Sequence, residues 1–292
     1  MESLSRDILR GAIDLHFHSA PSVFPRYHDD LAAVDAAAAY GLAGLVLKAH
    51  EGSSAERAWL VERARPGSGA VGAVVCNHFV GGLNPLAVEV ALAQGARMVW
   101  LPTIHAANHL AHYGGATYAA LPSALRPRAI APLTARDDAG ALRAELIEIL
   151  DLVAAAGAVL ATGHLAADEV FAVVRAARER RVERVVVTHP DLAVTGLNLG
   201  AQEELARLGA HLELTALNFR PEWGGLPREQ AVAQVRRIGA ERFVLSSDLG
   251  QRASGEPWAG FARETVALLH AGLAEADFDL MLRANPRALL AR

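Results

Sequence analysis

The sequence is poor in the features that mark secreted and membrane proteins. It has one cysteine, Cys76, in 292 residues, which excludes an intramolecular disulfide and fits a reducing compartment. No uninterrupted apolar run reaches the ~18 residues that a membrane-spanning helix needs, and residues 1–7 contain no apolar signal core. We therefore expect a cytoplasmic protein that does not insert into membranes.

The sequence also lacks an excess of basic residues. Its net charge is −4 and its pI is near 6.3, which argues against a basic nucleic-acid-binding face. With 52% hydrophobic and 21% charged residues, the composition is that of a globular protein with a sizeable core. We expect a small-molecule substrate as its partner, and the sequence leaves a homo-oligomer open.

Candidate strands and helices alternate along almost the whole chain. Eight short apolar runs, each ending on polar residues, are separated by helical segments, and helices are also predicted over 138–156 and 274–291. This alternation predicts a parallel sheet, and eight units in 292 residues is the count of an α/β (β/α)8 TIM barrel. A doubly wound open sheet is the alternative, but the first βα connection has no glycine-rich phosphate loop. We predict a single domain over residues 1–292.

The stretch over residues 105–137 interrupts this alternation. It has no clear period and contains three prolines, and irregular connections of this length are usually lids or binding loops. We therefore predict a lid-like insertion. His105, His109 and His112 would share one face of a helix, but a separate zinc site there would lack a nearby fourth ligand. We assign His105 to the substrate pocket.

The segment from Ile13 to His18 contains the first candidate metal ligands. Apolar and polar residues alternate there, as in a strand with one polar face, so His16 and His18 lie side by side. Two neutral imidazoles are good ligands for a divalent ion. A His-x-His pair alone is about as often a pair of surface histidines, so the later strands decide between the two.

Polar side chains also follow the later apolar runs. In a TIM barrel the carboxyl ends of the strands meet at one mouth, where active sites form. These ends carry, in chain order, His16 and His18, Lys48, Asn77, Thr103 or His105, His164, His189, Asn218 and Asp248. The four histidines outside the 105–137 stretch and the aspartate suit Zn²⁺, Mn²⁺ or Fe²⁺.

This order of ligands resembles the amidohydrolase superfamily of metal-dependent hydrolases, and the resemblance covers the whole chain. By resemblance, His16 and His18 match the ligands of the first strand, and Asp248 matches the aspartate of the eighth. His164 and His189 match the ligands of strands five and six. The resemblance implies one or two divalent ions, with zinc first and manganese, iron or nickel as alternatives.

Three shorter segments add to the resemblance. Asn285-Pro286 is similar to an Asn-Pro element near the end of many members. Residues 19–26 and 81–85 resemble a branch described only as TIM-barrel metal-dependent hydrolases. That narrower match names no substrate.

Lys48 stands out because one part of the superfamily pattern is absent. Two-metal members commonly have a bridging carboxylated lysine or glutamate on strand four, and residues 98–105 offer neither. Lys48 follows an apolar run on strand two, where burial would lower its pKa and favour the neutral amine that forms a carbamate. Lys48 is therefore a candidate bridging ligand from another strand, and equally a candidate for contact with substrate.

The ligand set implies hydrolysis by a metal-bound hydroxide. A bound divalent ion lowers the pKa of its water to ~7 and polarises a carbonyl group. Asp248 would act as general base and then acid, and His189, where it is not a ligand, would polarise the carbonyl oxygen. The expected substrate is an amide, a cyclic amide, a lactone or an ester.

Four residues are assigned to the substrate side of the site, namely Arg26, His105, Asn218 and Arg220. The two arginines follow strands one and seven, where each could bind a carboxylate or phosphate through two hydrogen bonds. A solvated loop arginine is the more common role for such residues.

Rival functions are a metal-dependent decarboxylase or phosphoesterase on the same barrel, and a non-catalytic metal-binding barrel.

Overall fold

The protein is described by a computed structural model that covers residues 7–113 and 131–291. Its strands follow the apolar runs of the sequence, because alternating or continuous apolar residues bury best in a sheet covered by helices. In chain order they are β1 (Ile13–Phe17), β2 (Gly44–Leu47), β3 (Ala70–Val71), β4 (Ala73–Val75), β5 (Met98–Trp100), β6 (Val159–Ala161), β7 (Arg184–Val187), β8 (His211–Thr215) and β9 (Phe243–Ser246).

The strands form a parallel sheet in chain order. β1, β2 and β3 pair in that order, and so do β4 to β9. Only Gly72 separates β3 from β4, so the two form one interrupted strand of a barrel. The last strand meets the first through the backbone, where the Asp248 N–H donates to the His16 carbonyl at 2.8 Å and the His18 N–H donates to the Leu249 carbonyl at 3.0 Å. The predicted (β/α)8 barrel is confirmed.

The helices run between the strands and several begin at the capping residues that the sequence provides. The Asp29 side chain accepts the N–H of Ala32, and Asn198 caps its helix in the same way through Ala201. The helices are α1 (Asp30–Ala39), α2 (Ala55–Ala64), α3 (Pro85–Ala93), α4 (Ala107–Tyr113), α5 (Ala144–Ala156), α6 (Ala167–Glu179), α7 (Leu199–Arg207), α8 (Arg228–Ile238), α9 (Pro257–His270), α10 (Glu275–Phe278) and α11 (Asn285–Leu290).

The apolar core has two layers on the two faces of the sheet. The larger layer packs between strands and helices, and the smaller one is formed by alternate strand residues such as Val46, Val75 and Trp100. Because side chains alternate along a strand, the second set faces the barrel interior. Leu289 of α11 joins it, so the C-terminal helix covers one end of the barrel and the other end is left for the polar residues.

Two helices are shorter than the sequence pattern predicts. The helix predicted over 138–156 begins at Ala144, because the Asp137 side chain accepts the N–H groups of Ala139 and Ala141 and forms a turn instead. The segment predicted as one helix over 274–291 contains a π-helical part, Asp279–Ala284. The wider turn lies before Pro286, whose ring would crowd the preceding turn of a regular α-helix.

The insertion predicted over 105–137 is described only at its two ends. Its first part forms α4, and residues 114–130 lie outside the described residues. The two ends meet, since Leu133 exchanges backbone hydrogen bonds with His105 and Ala107 at 2.9 and 2.7 Å. Within the described ranges, 7–113 and 131–291, no helix combines the length and the apolarity that a bilayer span requires.

The loop after β9 pairs with the loop after β1 at the mouth of the barrel. The Tyr27 N–H donates to the Gly250 carbonyl at 2.8 Å, and the Arg252 N–H donates to the Pro25 carbonyl at 3.1 Å. Gly250 has a φ of +115°, and a Cβ atom at this position would lie 1.8 Å from the His18 carbonyl oxygen. Only glycine satisfies both the backbone angle and this close approach.

We expect Gly250→Ala to destabilise the fold more than Gly95→Ala. Gly95 has a similar φ of +100°, but a Cβ atom added there would have no neighbouring atom within 4 Å, so it isolates the cost of the backbone angle. The additional loss in the free energy of unfolding at Gly250 should be about 1–3 kcal/mol, measured by urea unfolding. Equal losses for the two variants would contradict a close backbone contact at His18.

Candidate metal centre

Five of the predicted site residues meet where the strands end. His16 lies on β1 and His18 directly after it, Lys48 follows β2, His189 follows β7 and Asp248 follows β9. All five are buried, and none exposes more than 4% of its surface. Parallel strands bring their carboxyl ends to one mouth of the barrel, which explains how residues distant in sequence reach one place.

The Asp248 carboxylate lies between three imidazole rings. Its Oδ1 atom is 3.0 Å from Nε2 of His16 and 3.1 Å from Nε2 of His18, and its Oδ2 atom is 3.2 Å from Nε2 of His189. Ligand atoms of His16, His189 and Asp248 lie within 4.8 Å of one another. This is a compact set of nitrogen and oxygen donors.

The hydrogen bonds of the outer ring nitrogens test whether this set suits a metal. Nδ1 of His16 is 3.1 and 3.2 Å from the two carboxylate oxygens of Glu213, and Nδ1 of His18 is 3.0 Å from the Lys48 carbonyl oxygen. A neutral imidazole that donates from Nδ1 has its lone pair on Nε2. Both lone pairs then face Asp248, which is favourable with a proton or a metal ion between them. The donors fit a divalent ion held by histidines that are oriented through their outer nitrogens.

The charges of the cluster favour a cation at the same point. Burial opposes protonation of His16, yet the Asp248 carboxylate, and then that of Glu213, raise the pKa of His16 to about 9. Burial acts to raise the pKa of Asp248, but His16 and the other imidazoles hold it well below its ordinary value. Asp248 is therefore ionised at neutral pH.

Lys48 lies against this cluster. Its Nζ atom is 2.8 Å from Nε2 of His16 and 5.2 Å from the centre of the Trp100 ring. Burial lowers the pKa of Lys48 to about 8, although Asp248 and Glu213 act in the opposite direction. The amine is therefore much closer to its neutral form than an exposed lysine would be.

His164, the remaining predicted ligand, lies beside the cluster after β6. Its Nδ1 atom is 2.7 Å from Nδ1 of His109, and the two rings stack with their centres 4.8 Å apart. Its Nε2 atom is buried and has no hydrogen-bond partner among the residues that the structure describes. The ring centre lies 5.4 Å from that of His189. His109 thus holds the outer nitrogen of His164 and leaves Nε2 available, as Glu213 does for His16.

The backbone near Asp248 and His189 is shaped for this arrangement. The Asp14 carboxylate accepts the N–H groups of His16 and Ser247 at 3.0 and 2.9 Å, so one buried side chain joins β1 to the residue before Asp248. His189 and Asp248 have positive φ angles of 51° and 49°. Such angles are strained for non-glycine residues and occur often at functional sites.

A cavity of about 530 Å³ opens beside the cluster, and Arg26 lines it together with His18, Lys48, His164, His189 and Asp248. This volume is in the range of small-molecule sites. Of the four residues assigned from sequence to the substrate side, Arg26 alone belongs to this wall.

The other three residues assigned to the substrate side lie outside the wall of this cavity, each engaged with a neighbour. Nδ1 of the buried His105 accepts the N–H of His78 at 2.9 Å, and Asn218 Oδ1 accepts the Thr215 hydroxyl group. Arg220 donates to the Glu222 carboxylate at 2.7 Å and to the Ser254 carbonyl at 3.2 Å. These contacts are local in sequence or belong to the packing of loops.

Two residues of the centre were missed by sequence reasoning. Glu213 lies within β8 between leucines, and a carboxylate in an apolar strand was a signal for an inward-facing polar group. His50 lines the cavity, and its ring stacks on that of His18 with centres 4.7 Å apart. Its position two residues after Lys48 could have indicated the same face of the chain.

One protein-family model matches residues 11–213, and its description is "Family of unknown function (DUF6282)". The chain belongs to this family. The matched segment contains His16, His18, His164 and His189 but ends before Asp248. None of the curated proteins matches the sequence.

Solved structures share the fold at low sequence identity. An amidohydrolase from Pseudomonas aeruginosa is 12% identical with a TM-score of 0.65, over 99% of this chain and 97% of that one. A candidate 2-pyrone-4,6-dicarboxylic acid hydrolase from Pseudomonas putida is 17% identical with a TM-score of 0.62, over 96% and 97%. A 2,6-dihydroxybenzoate decarboxylase from Rhizobium is 12% identical with a TM-score of 0.55, over 96% and 98%. The DUF6282 chain therefore has the amidohydrolase fold.

We expect Glu213→Gln to weaken metal binding without unfolding the protein. The amide keeps the shape of the carboxylate but orients His16 less strongly and removes a negative charge, so the affinity for Zn²⁺ should fall roughly 10–100-fold. Competition with a chromogenic chelator measures this affinity.

Two variants serve as controls for the zinc affinity of Glu213→Gln. His16→Ala should lose the ion on dialysis, and His270→Ala, an exposed histidine at the end of α9, should bind it as the wild type does. Undiminished zinc content in His16→Ala would rule out this cluster as the metal centre.

Proposed function

We propose that this protein is a metal-dependent hydrolase that cleaves an amide, cyclic amide, lactone or ester bond in a small molecule. One observation carries the proposal, namely that the Nε2 atoms of His16, His18 and His189 converge on the buried Asp248 carboxylate beside a cavity. A purely structural metal site has no use for an adjoining cavity of this size. Zinc is the ion we expect first.

A bound ion and the residues of the chain would contribute different parts of the chemistry. When bound, a divalent ion supplies Lewis-acid polarisation and an acidified water molecule. The ionised Asp248 carboxylate can accept a proton from the attacking water and return it to the leaving group. Glu213 and the Lys48 carbonyl hold the outer nitrogens of His16 and His18, so that both Nε2 atoms stay directed at the reacting end of the cavity.

The cavity wall supports binding of a small organic substrate. His50 lies against His18 at the reacting end, and its pKa is held well below the ordinary value by burial and then by His18. A neutral imidazole there can hydrogen-bond to a substrate oxygen or leaving group without adding charge. The apolar remainder of the wall excludes water from the reaction.

A decarboxylase is the second candidate. Two observations suit this function. A 2,6-dihydroxybenzoate decarboxylase has a similar fold, and β5, the fourth strand of the barrel, has no bridging carboxylate. Hydrolysis of a lactone or ester releases a proton at neutral pH, whereas decarboxylation consumes one and releases carbon dioxide. Stopped-flow recording of pH and carbon dioxide with zinc-loaded protein, over a panel of lactones, esters and aromatic carboxylates, separates the two.

We expect Asp248→Asn to lower turnover by roughly 10²-fold or more, as for removal of a general base. The amide keeps the shape of the side chain but cannot carry the proton. Turnover on the best substrate of the panel, zinc content and the melting temperature should be measured together. Asp138→Asn, an exposed aspartate, is the matched control and should behave as wild type. Near-normal turnover in Asp248→Asn would remove the base from the mechanism.

We further propose that the neutral Lys48 amine adds carbon dioxide, with loss of a proton to solvent, to give a carbamate that would bridge two ions. The amine lies 2.8 Å from Nε2 of His16 and its lowered pKa favours the neutral form. Lys48→Ala should then lose one ion per chain, and added acetate or propionate should partly restore it by taking the place of the carbamate. If Lys48 instead contacts substrate, the variant keeps its metal and raises KM. Elemental analysis distinguishes the two, because full metal content in Lys48→Ala excludes the bridge.

A further inference from the structure

Arg26 is a buried cation that faces the cavity. It exposes 7% of its surface, and among the described residues its side chain makes one hydrogen bond, from Nε to the Ser22 hydroxyl group at 3.3 Å. Across residues 7–113 and 131–291, no carboxylate oxygen lies within 4.0 Å of its guanidinium group. Its Cζ atom lies 5.5 Å from the centre of the Phe24 ring. The two Nη groups are therefore left without a hydrogen-bond acceptor in this part of the chain.

This charge is present at neutral pH and has no direct ion pair among the described residues. Burial lowers the pKa of Arg26 to about 10, while Glu51 and Asp248 act to raise it. The Oε1 atom of Glu51 accepts the Ser22 hydroxyl group at 2.6 Å and the Val23 N–H at 2.7 Å, and Glu51 forms no ion pair with Arg26 within 4.0 Å. A buried charge without a partner is costly, so the guanidinium group is placed to receive an anion.

The position of Arg26 would place that anion close to the metal centre. Arg26 lines the same cavity as His18 and Asp248, and after burial its charge is the largest influence that lowers the pKa of His18. The cavity wall also has an apolar part, formed by Ile104, Leu192, Val194, Leu217 and Trp223. A ligand that matches both Arg26 and the apolar part of the wall has a negative group at one end and an apolar body.

We propose that Arg26 binds a substrate carboxylate whose apolar, ring-sized body packs against this wall. The placement of the scissile bond at the histidine cluster rests on the proposed function, whereas the binding of the carboxylate to Arg26 does not depend on it. With Nε engaged by Ser22, the two Nη groups present a planar pair of donors that matches the two oxygens of a carboxylate. Arg26 supplies one buried positive charge, which balances a carboxylate, since Lys48 lies against His16 and Arg252, another cation of the wall, is exposed.

Benzoate, benzamide and phenyl phosphate test the inference on zinc-loaded protein by isothermal titration calorimetry. Benzoate and benzamide have the same shape and differ in charge. We expect benzoate to bind at least ~10-fold more tightly than benzamide, since only the carboxylate neutralises the guanidinium charge and offers two acceptor oxygens to the two Nη groups. Arg26→Gln should abolish the difference, and Arg26→Lys should keep part of it by retaining the charge without the planar pair of donors.

Arg63→Gln is the matched control, since it removes an exposed positive charge on α2, and it should bind benzoate as the wild type does. Zinc content is measured for each variant, so that loss of the ion is not mistaken for loss of the subsite. The wild-type comparison of benzoate with benzamide needs no variant, and it stands even where Arg26→Gln does not fold.

Three results would overturn the inference. They are equal affinities of the wild type for benzoate and benzamide, unchanged benzoate binding in a folded Arg26→Gln, and tighter binding of phenyl phosphate than of benzoate. The titrations are repeated after removal of zinc by a chelator. Arg26-dependent binding in that state supports the subsite even if no hydrolase activity is found, whereas binding that needs zinc but not Arg26 assigns benzoate to the ion.

Discussion

The Asp248 carboxylate is the group on which the rest of the structure depends. It contacts three imidazole rings from two strands, and its own N–H donates to the His16 carbonyl, which joins β9 to β1. The closure of the barrel and the assembly of the centre therefore use the same residue. A buried carboxylate is costly without partners, and here the histidines that offset this cost are the candidate ligands.

Much of the fold and most of the centre could be predicted from sequence because their signals are local. A strand such as His211–Thr215 is marked by its own apolar residues, and the polar residue after each strand has its place fixed by the parallel barrel. The His-x-His pair on β1 needs only the two-residue period of a strand.

The orienting partners could not be predicted, because their roles depend on contacts between distant segments. Glu213 lies 197 residues from His16, and His109 lies 55 residues from His164, so no local pattern connects them. Arg220 shows the opposite case, in which a neighbour two residues away, Glu222, engages the side chain that sequence position assigns to substrate. Sequence position identifies a strand end, but tertiary packing decides which side chain is left for a ligand.

The two buried cations of the cavity then have different roles. Lys48 lies against His16 and within the influence of Asp248 and Glu213, and a divalent ion in the same cluster would further disfavour its charged form. Asp248 and Glu213, both ionised, would be balanced by that ion rather than by lysine. Arg26 keeps its charge and has no such carboxylate within ion-pair distance among the described residues. Arg26 is therefore a buried cation without a direct ion pair in the described part of the chain, and the proposed substrate carboxylate would supply one.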